Sequence, residues 1–490
     1  MSENELDQIK YRKEKREQLI KSGFLAYPAR LNKLRSHDIV QVLADFSKFI
    51  KSKQEVTLIG RVMAIRLHGS ICFGNIVDST GNVQFSIIKK TVADQYVYWK
   101  KYIDLGDIIS VSGQLDKTNR GEITLLVSEF YLLSKSLLPL PDKRQGVKDI
   151  ETRLRHRELD LISNQEIRER FIHRSKLITA LRSCLDEDGF IEVETPILQS
   201  IAGGANAQPF ITHHEALNID LFLRIAPELY LKRLLVGGYE KVYEIGRCFR
   251  NEGIDKDHSP EFTQIEFYMA YTDYRDMMAY SEKLLKKIIG KAGLENKIIK
   301  DHHEISLNKN FVIVSYSQIM KDYAKLDLDR FPTKEGICQE AEKRNIKIEK
   351  QDGRGRIIDK IFKQLIRPNI IEPTHIIDYP IELLPLAKVK EDNPNYVESF
   401  QLLILGTELT KGFSEQNDPI VQEQRFKEQS ILKEQGDNEA QPFDQDYIQA
   451  LMHGMPPASG IGIGIDRLVA ILTKAATLRE SILFPTLKEK

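Results

Sequence analysis

Between residues 56 and 132 the chain alternates short β-branched and aromatic runs with turn residues: EVTLIGRVMAI, SICFGNIVD, GNVQFSI, GDIISVSGQLD and GEITLLVSEFYLL, broken by DSTG and KTNRG. Runs of this length bounded by Gly, Asp and Asn read as strands. Five of them suggest a small Greek-key barrel of the OB-fold type, whose strand faces bind single-stranded nucleic acid by base stacking, although strand count alone fits any small barrel. Residues 1–55 read as a helical extension in front of this barrel domain at 56–140. Behind it a Pro-rich, then densely charged stretch, LPLPDKRQGVKDIETRLRHRELDLI, reads as a linker over 141–164 that runs into a helix. From 165 to 490 amphipathic helical stretches such as RFIHRSKLITALRSCLDED alternate with strands, and a polar helical insertion is placed at about 297–370. The expected class is multidomain α+β, with an antiparallel sheet flanked by helices behind the barrel.

Several strands of the second domain carry unusual faces. Taken as a strand, KVYEIGRCFRNEG at 241–253 puts Glu244, Gly246, Cys248, Arg250 and Glu252 on one side. A buried sheet face normally carries apolar bulk, so this one either leaves room for a ligand held by charges or faces solvent with an ion pair. The next strand, PEFTQIEFYMAY, aligns Phe262, Gln264, Glu266 and Tyr268, and the two strands suggest a hairpin. Superposed, they gather Arg250, Glu252, His258, Phe262, Glu266 and Tyr268: cations for phosphate, an aromatic for stacking, acids for an ammonium. In SGIGIGIDRLVAIL, Gly460, Gly462 and Gly464 alternate with isoleucines ahead of a helix opening at Asp466. Such a face admits a ligand or backbone closely, with Arg467 in reach of a phosphate; a plain packing face is the alternative. FQLLILGTELTKGFSEQNDP reads as a strand, a bend near Gly406 and a second strand on which Lys411, Phe413 and Glu415 share a face. Glu408 and Glu415 are its candidate partners for a metal or an ammonium.

Composition narrows the class without naming a reaction. With 490 residues, 41% hydrophobic and 29% charged, the chain suits an ordinary globular protein of two to four domains. No apolar run approaches the roughly 18 residues that cross a membrane. The first residues, MSENELDQIKYRKEKREQLIKSGF, lack an apolar core and a small-residue cleavage site, so the expected compartment is the cytosol. Cys72, Cys184, Cys248 and Cys338 stand far apart with no CxxC pair, as free thiols would. Net charge is zero, so any nucleic-acid role rests on local patches. One candidate is a helix carrying Lys10, Arg12, Lys13, Lys15, Arg16 and Lys21, though Glu14 and Glu17 also suit a plain solvated face. P-loop, HExxH and GxGxxG signatures are absent.

Taken together, GFIEVETPIL, FRNEGIDKDHSPEF and GIGIGIDRL resemble motifs 1, 2 and 3 of class II aminoacyl-tRNA synthetases, at about 171–197, 241–268 and 460–473 and in the family's order. RIAPELYLKRLLVGGYEKVYEIGRCFRNEGID, EFYMAY, GFSE and ILFP are similar to the lysyl rather than the aspartyl or asparaginyl enzymes. The resemblance covers nearly the whole chain. It implies an ATP-dependent activation of L-lysine to lysyl-adenylate and its transfer to the 3′ end of tRNA(Lys), by a cytoplasmic homodimer that uses Mg²⁺. Carried over, Arg250 and Arg467 would be catalytic, with Glu252, His258, Phe262 and Glu408 completing the ATP site. Glu228, Glu266, Tyr268, Lys411, Phe413 and Glu415 would bind lysine. Glu408 and Gln401 would hold the metal. Phe73, Gln84 and Glu129 would meet the anticodon, and Pro196 would lie at the dimer interface.

The chain also departs from that pattern. Gln401 stands where the family has a magnesium-binding glutamate, and Lys411 where it has an asparagine beside the amino acid. Gln208 replaces a basic residue, Ser399 and Thr407 arginine-like ones, and Leu384 and Gln416 a serine and a leucine. Alternatives therefore stand beside a working enzyme: a paralogue with another amino-acid substrate or reduced activity, a non-catalytic RNA-binding protein on the same fold, or an enzyme that attaches lysine to a protein. The barrel argues against the last.

Overall fold

The alternation read in the first unit is an inward register. Strands β1 (Val56–His68), β2 (Ile71–Val77), β3 (Asn82–Ile88), β4 (Ile108–Lys117) and β5 (Ile123–Ser134) close into a barrel in the order β1-β2-β3-β5-β4. Only β3 and β5 pair in parallel; the other four ladders are antiparallel. Val56, Leu58, Cys72, Ile76, Phe85, Ile87, Ile109, Val111 and Leu125 fill the interior. Gly74 sits where a β-carbon would strike the Phe85 ring and the Ala64 carbonyl. The protein is described by a computed structural model at residues 3–141, 147–256, 258–300, 303–350, 352–434, 436 and 440–488, and it divides into two units, Met1–Val147 and Lys148–Lys490.

Sequence reading missed the helices Lys89–Val92 and Asp94–Tyr102 between β3 and β4. Tyr96, Trp99 and Tyr102, three apart, form the buried face of the second. Trp99, the chain's one tryptophan, packs edge-on to Phe85 and Phe130 at 5.4 and 5.1 Å, and its indole N–H donates to Cys72 Sγ at 3.1 Å. The N-terminal helix Glu3–Lys21 is not a free basic face either. Arg12 donates to the carbonyls of Leu105, Ser136 and Leu138 at 3.0, 3.2 and 3.2 Å, and Lys15 reaches Asp104 at 2.6 Å. Two of the six cations read as a phosphate footprint thus pin the helix to the barrel, and four remain on its surface.

In the second unit the charged stretch read as linker is structured from residue 150, because its arginines find buried partners. It forms helices Ile150–Arg155 and Arg157–Ser163, and the buried Arg157 donates to Asp160 at 2.7 Å and to the Leu483 carbonyl at 2.8 Å. Residues 142–146 of that stretch lie outside the described residues. The remaining strands are β6 (Ile191–Glu192), β7 (Leu198–Gln199), β8 (Ile211–His214), β9 (Ile219–Leu223), β10 (Lys241–Phe249), β11 (Glu261–Ala270), β12 (Lys297–Lys300), β13 (His303–Ser306), β14 (Val312–Ser315), β15 (Thr374–Pro380), β16 (Tyr396–Ile404), β17 (Thr407–Ser414) and β18 (Ala458–Gly464). Eight of them form one sheet, β14-β15-β16-β17-β18-β11-β10-β6, antiparallel except at its two edges.

Helices Gln165–Glu187, Tyr274–Lys291 and Ile465–Leu472 cover one face of this sheet, meeting Ile265, Phe267, Phe400, Leu402, Ile461 and Ile463 in a continuous core. Strand alternation then commits the residues between, Phe262 to Tyr268 and Gly460 to Gly464 among them, to the opposite face. The insertion expected to be polar and helical differs from that expectation on two counts. It begins with the β12–β13 hairpin and adds β14 to the large sheet. Its helices bury Tyr316, Ile319, Met320, Ile337, Ile357, Ile358, Ile361 and Phe362, an apolar stripe diluted in sequence by the charged outer faces.

Candidate functional site

The open face of the sheet floors a cavity of about 550 Å³. The hairpin of β10 and β11 supplies one wall, in the register Glu244↔Glu266, Gly246↔Gln264 and Cys248↔Phe262. Phe262, Gln264, Glu266 and Tyr268 all line the cavity, as the alternation implied. The β10 face differs from expectation. The strand ends at Phe249, so Arg250 and Glu252 project from the following loop. Room at Gly246 is taken by the protein itself: a β-carbon there would strike the Arg224 guanidinium, which pairs with Glu244. Glu244 and Cys248 are buried structural residues.

One end of the cavity is acidic. Glu228, in the first turn of the helix Glu228–Val236, accepts from Lys232 at 2.5 Å, and Lys232 also pairs with Glu415. Glu266 accepts from Gln264 Nε2 at 2.7 Å and from the Tyr268 hydroxyl at 3.0 Å. Glu415 itself lies behind the floor, 1% exposed, where a β-carbon on Gly460 would meet its Oε1 at 2.5 Å and strike the Tyr268 ring. Glycine at 460 is therefore what lets these two side chains close up. Fully ionised, three carboxylates and one ammonium would leave two formal negative charges. Burial, and then repulsion from Glu228, pushes the Glu266 carboxyl up to about 8; burial, partly countered by Lys232, does the same for Glu415. Burial works against a charge on Lys232, but Glu228 and Glu415 outweigh it and hold its pKa above the usual range. Sequence reading did not single out Lys232; its position one helical turn beyond Glu228 was the available signal. Phe413 lines the wall above it, with the Lys232 ammonium 5.1 Å from the ring centre.

The other end is cationic. The Arg250 backbone N–H donates to the Pro260 carbonyl at 2.8 Å, and its guanidinium lies 5.0 Å over the Phe262 ring. Arg467, in the first turn after the glycine strand, donates to the Glu408 carbonyl at 3.0 Å. His258 sits at the rim, its Nδ1 2.9 Å from Asp255, and Glu252 is exposed beside it. From the insertion come Arg354, Arg356, Asp359, Lys363 and Arg367, none of which sequence reading had connected with the site. Gln401, Glu408 and Lys411 lie on the floor, where Lys411 pairs in register with Gln401 on one side and Gly462 on the other. The Gln401 Oε1 already accepts the Tyr379 hydroxyl at 2.8 Å. Although burial opposes its charge, Arg467, Lys411, Arg367 and Lys363 keep the Glu408 carboxyl below its ordinary value.

Other departures sit as follows. Leu384 lines the cavity. Ser399 is buried, accepting the Tyr379 N–H at 3.2 Å, and Thr407 starts β17 at the bend. Gln416 is buried and accepts the Asp418 N–H at 3.0 Å. Gln208 accepts the Asn251 N–H through its carbonyl at 2.7 Å.

In the barrel, Phe73 is half-buried on the outer face of β2, with Arg66 as its cross-strand partner. Gln84, across from Asn75 on β3, is held by a bond from its Nε2 to Thr124 Oγ1 at 2.7 Å, leaving its amide oxygen to act as an acceptor. Glu129 accepts from Tyr131 and lies on β5 near Lys33, 3.9 Å away. Pro196 is exposed in a strip with Ile191, Ile197 and Leu198.

Both units match known families. A family model described as tRNA synthetases class II (D, K and N) matches residues 149–488, and one for the OB-fold nucleic acid binding domain matches 56–133. Among curated relatives, the lysine–tRNA ligase of Thermoanaerobacter pseudethanolicus is 48% identical over 89% of this chain and 87% of its own length. That of Pelotomaculum thermopropionicum is 45% identical over 99% and 96%, and that of Carboxydothermus hydrogenoformans 44% over the full length of both.

Proposed function

Because the chain belongs to the class II tRNA synthetases of the D, K and N group, we propose that it joins L-lysine to ATP as lysyl-adenylate and passes the lysyl group to the 3′ end of tRNA(Lys). The observation that carries the choice of amino acid is the acidic end of the cavity. Three carboxyl groups facing one ammonium match the two ammonium groups of lysine, whose binding favours loss of the protons that Glu266 and Glu415 hold without it, and no neutral side chain would satisfy them. In the first step the lysine carboxylate attacks the α-phosphorus and pyrophosphate leaves. Arg250 would neutralise charge between the carboxylate and α-phosphate, while Phe262 and Arg467 would sandwich adenine and His258 would meet the outer phosphates. In the second, the terminal ribose hydroxyl attacks the adenylate carbonyl and AMP leaves. Magnesium would enter with the nucleotide, and the apolar strip at Pro196 suits a homodimer interface in the cytoplasm.

Amino-acid-dependent ATP–pyrophosphate exchange tests the assignment. Lysine alone should support exchange; support by a different amino acid would transfer the assignment to a paralogue, and none at all would favour a non-catalytic protein.

Two smaller effects follow. Glu266 and Glu415 keep their protons in the native protein up to about pH 8, whereas the unfolded chain releases them near the ordinary 4.5. The native state thus binds more protons across that window, and stability of the ligand-free protein falls as pH rises through it. Calorimetric melting between about pH 6 and about pH 8 should show a decline that saturating lysine reverses; a flat or rising profile would contradict the charge arrangement. Separately, Phe73→Ala should weaken tRNA charging by about 1–3 kcal/mol, the loss of one stacked base, and leave pyrophosphate exchange unchanged. Equal damage to both assays would place Phe73 outside RNA recognition.

A further inference from the structure

The floor beneath the cationic end is a poor match for a divalent ion held by the protein. Magnesium prefers carboxylate and water oxygens in octahedral array. Here Gln401 brings no charge, and its Oε1 is already the acceptor for the Tyr379 hydroxyl, in the buried interior at 2.8 Å. Glu408 is surrounded by Arg467, Lys411, Arg367 and Lys363, and Asp359 is paired with Lys363 at 2.7 Å. Among the described residues there is no group of three metal-binding side chains. What the floor does hold is an ammonium. Lys411 lines the cavity, and among the described residues its side-chain ammonium has no hydrogen bond and no ion pair. Its neighbour in register on β18 is Gly462, which puts no side chain of its own beside it; the atom nearest to where a β-carbon would stand is Glu266 Cγ, 3.7 Å away.

Building on the activity proposed above, we propose that Lys411 takes the place of a protein-held divalent cation: its ammonium neutralises the substrate carboxylate and the adjacent α-phosphate, and Glu408 with Gln401 binds no metal of its own. A fixed side-chain charge serves a position that a metal would otherwise fill, and it needs no ion from solution. Magnesium remains the companion of the outer phosphates of ATP, held there by the nucleotide. Glu408 then acts as the counter-charge to the Lys411 ammonium in this buried setting.

Calorimetric titration of the full-length protein with ATP, in excess magnesium and in EDTA, separates the two arrangements. The unmodified protein should lose less than about tenfold in affinity when the metal is removed. Lys411→Met should lower the metal-free affinity by roughly 10- to 100-fold, the size of one charge-assisted contact. Lys411→Arg, which keeps the charge, should restore most of it. The pair Gln401→Glu with Lys411→Asn should bind ATP tightly only with magnesium. Equal metal-free binding by the unmodified protein and Lys411→Met, equal weakness of the Met and Arg variants, or an unmodified protein that binds only with magnesium would each overturn the proposal. Lysine-dependent pyrophosphate exchange on the unmodified protein reads the amino-acid assignment separately: its absence alongside Lys411-dependent ATP binding would sink that assignment and leave this one standing.

Discussion

Arg250→Ala is expected to cut lysine-dependent pyrophosphate exchange by roughly 10²- to 10³-fold, mainly through kcat, because the guanidinium is needed where charge develops. The loop that presents it is fixed by the backbone bond to Pro260 rather than by the side chain. Its Nε lacks a partner in the resting structure, and truncation to alanine removes a single cation–π arrangement with Phe262, about 0.5–1 kcal/mol. Melting should therefore move little while activity collapses. A variant that retains activity within about tenfold would remove Arg250 from the reaction, and one that unfolds would make it structural.

The second large effect is on stability. Lys232 is 0% exposed and is the shared ion-pair partner of Glu228 and Glu415. Lys232→Met would strand both carboxylates in the interior, an imbalance worth about 3–5 kcal/mol. Denaturant unfolding of the second unit should show the loss, and adding Glu415→Gln should recover part of it by removing one stranded charge. A cost below about 1 kcal/mol, or no rescue, would mean that water reaches the pair and that the acidic end is not balanced as described.

Much of this site is legible in the sequence, because strand alternation fixes faces without knowing partners. Phe262, Gln264, Glu266 and Tyr268 share the cavity wall, and Gly460, Gly462 and Gly464 its floor, for that reason alone. What period-2 reasoning cannot supply is the occupant of the space beside a face. At Gly246 the occupant is Arg224, so the room inferred for a ligand is filled. Nor does it find partners distant in sequence: Lys232 looks like one more charged helix residue until Glu415 is folded against it. The insertion hid its apolar stripe, Ile357, Ile358, Ile361 and Phe362, among Arg, Lys and Asp, and with it the five charged residues it places at the cavity. The barrel strands were legible from their turns; the helix carrying Trp99 lay in a segment where aromatic spacing, not a turn signal, marked it.

That tryptophan also makes the protein self-reporting. Every indole photon the chain emits originates in the first unit, on a helix packed into the barrel's core cluster beside the Cys72 sulfur and two aromatic rings. Red-edge excitation therefore follows opening of the first unit and is blind to the second, whose 343 residues contain tyrosine and phenylalanine only as fluorophores. In a biphasic melt the emission signal alone would assign one transition to the barrel, with no label, truncation or mutation required.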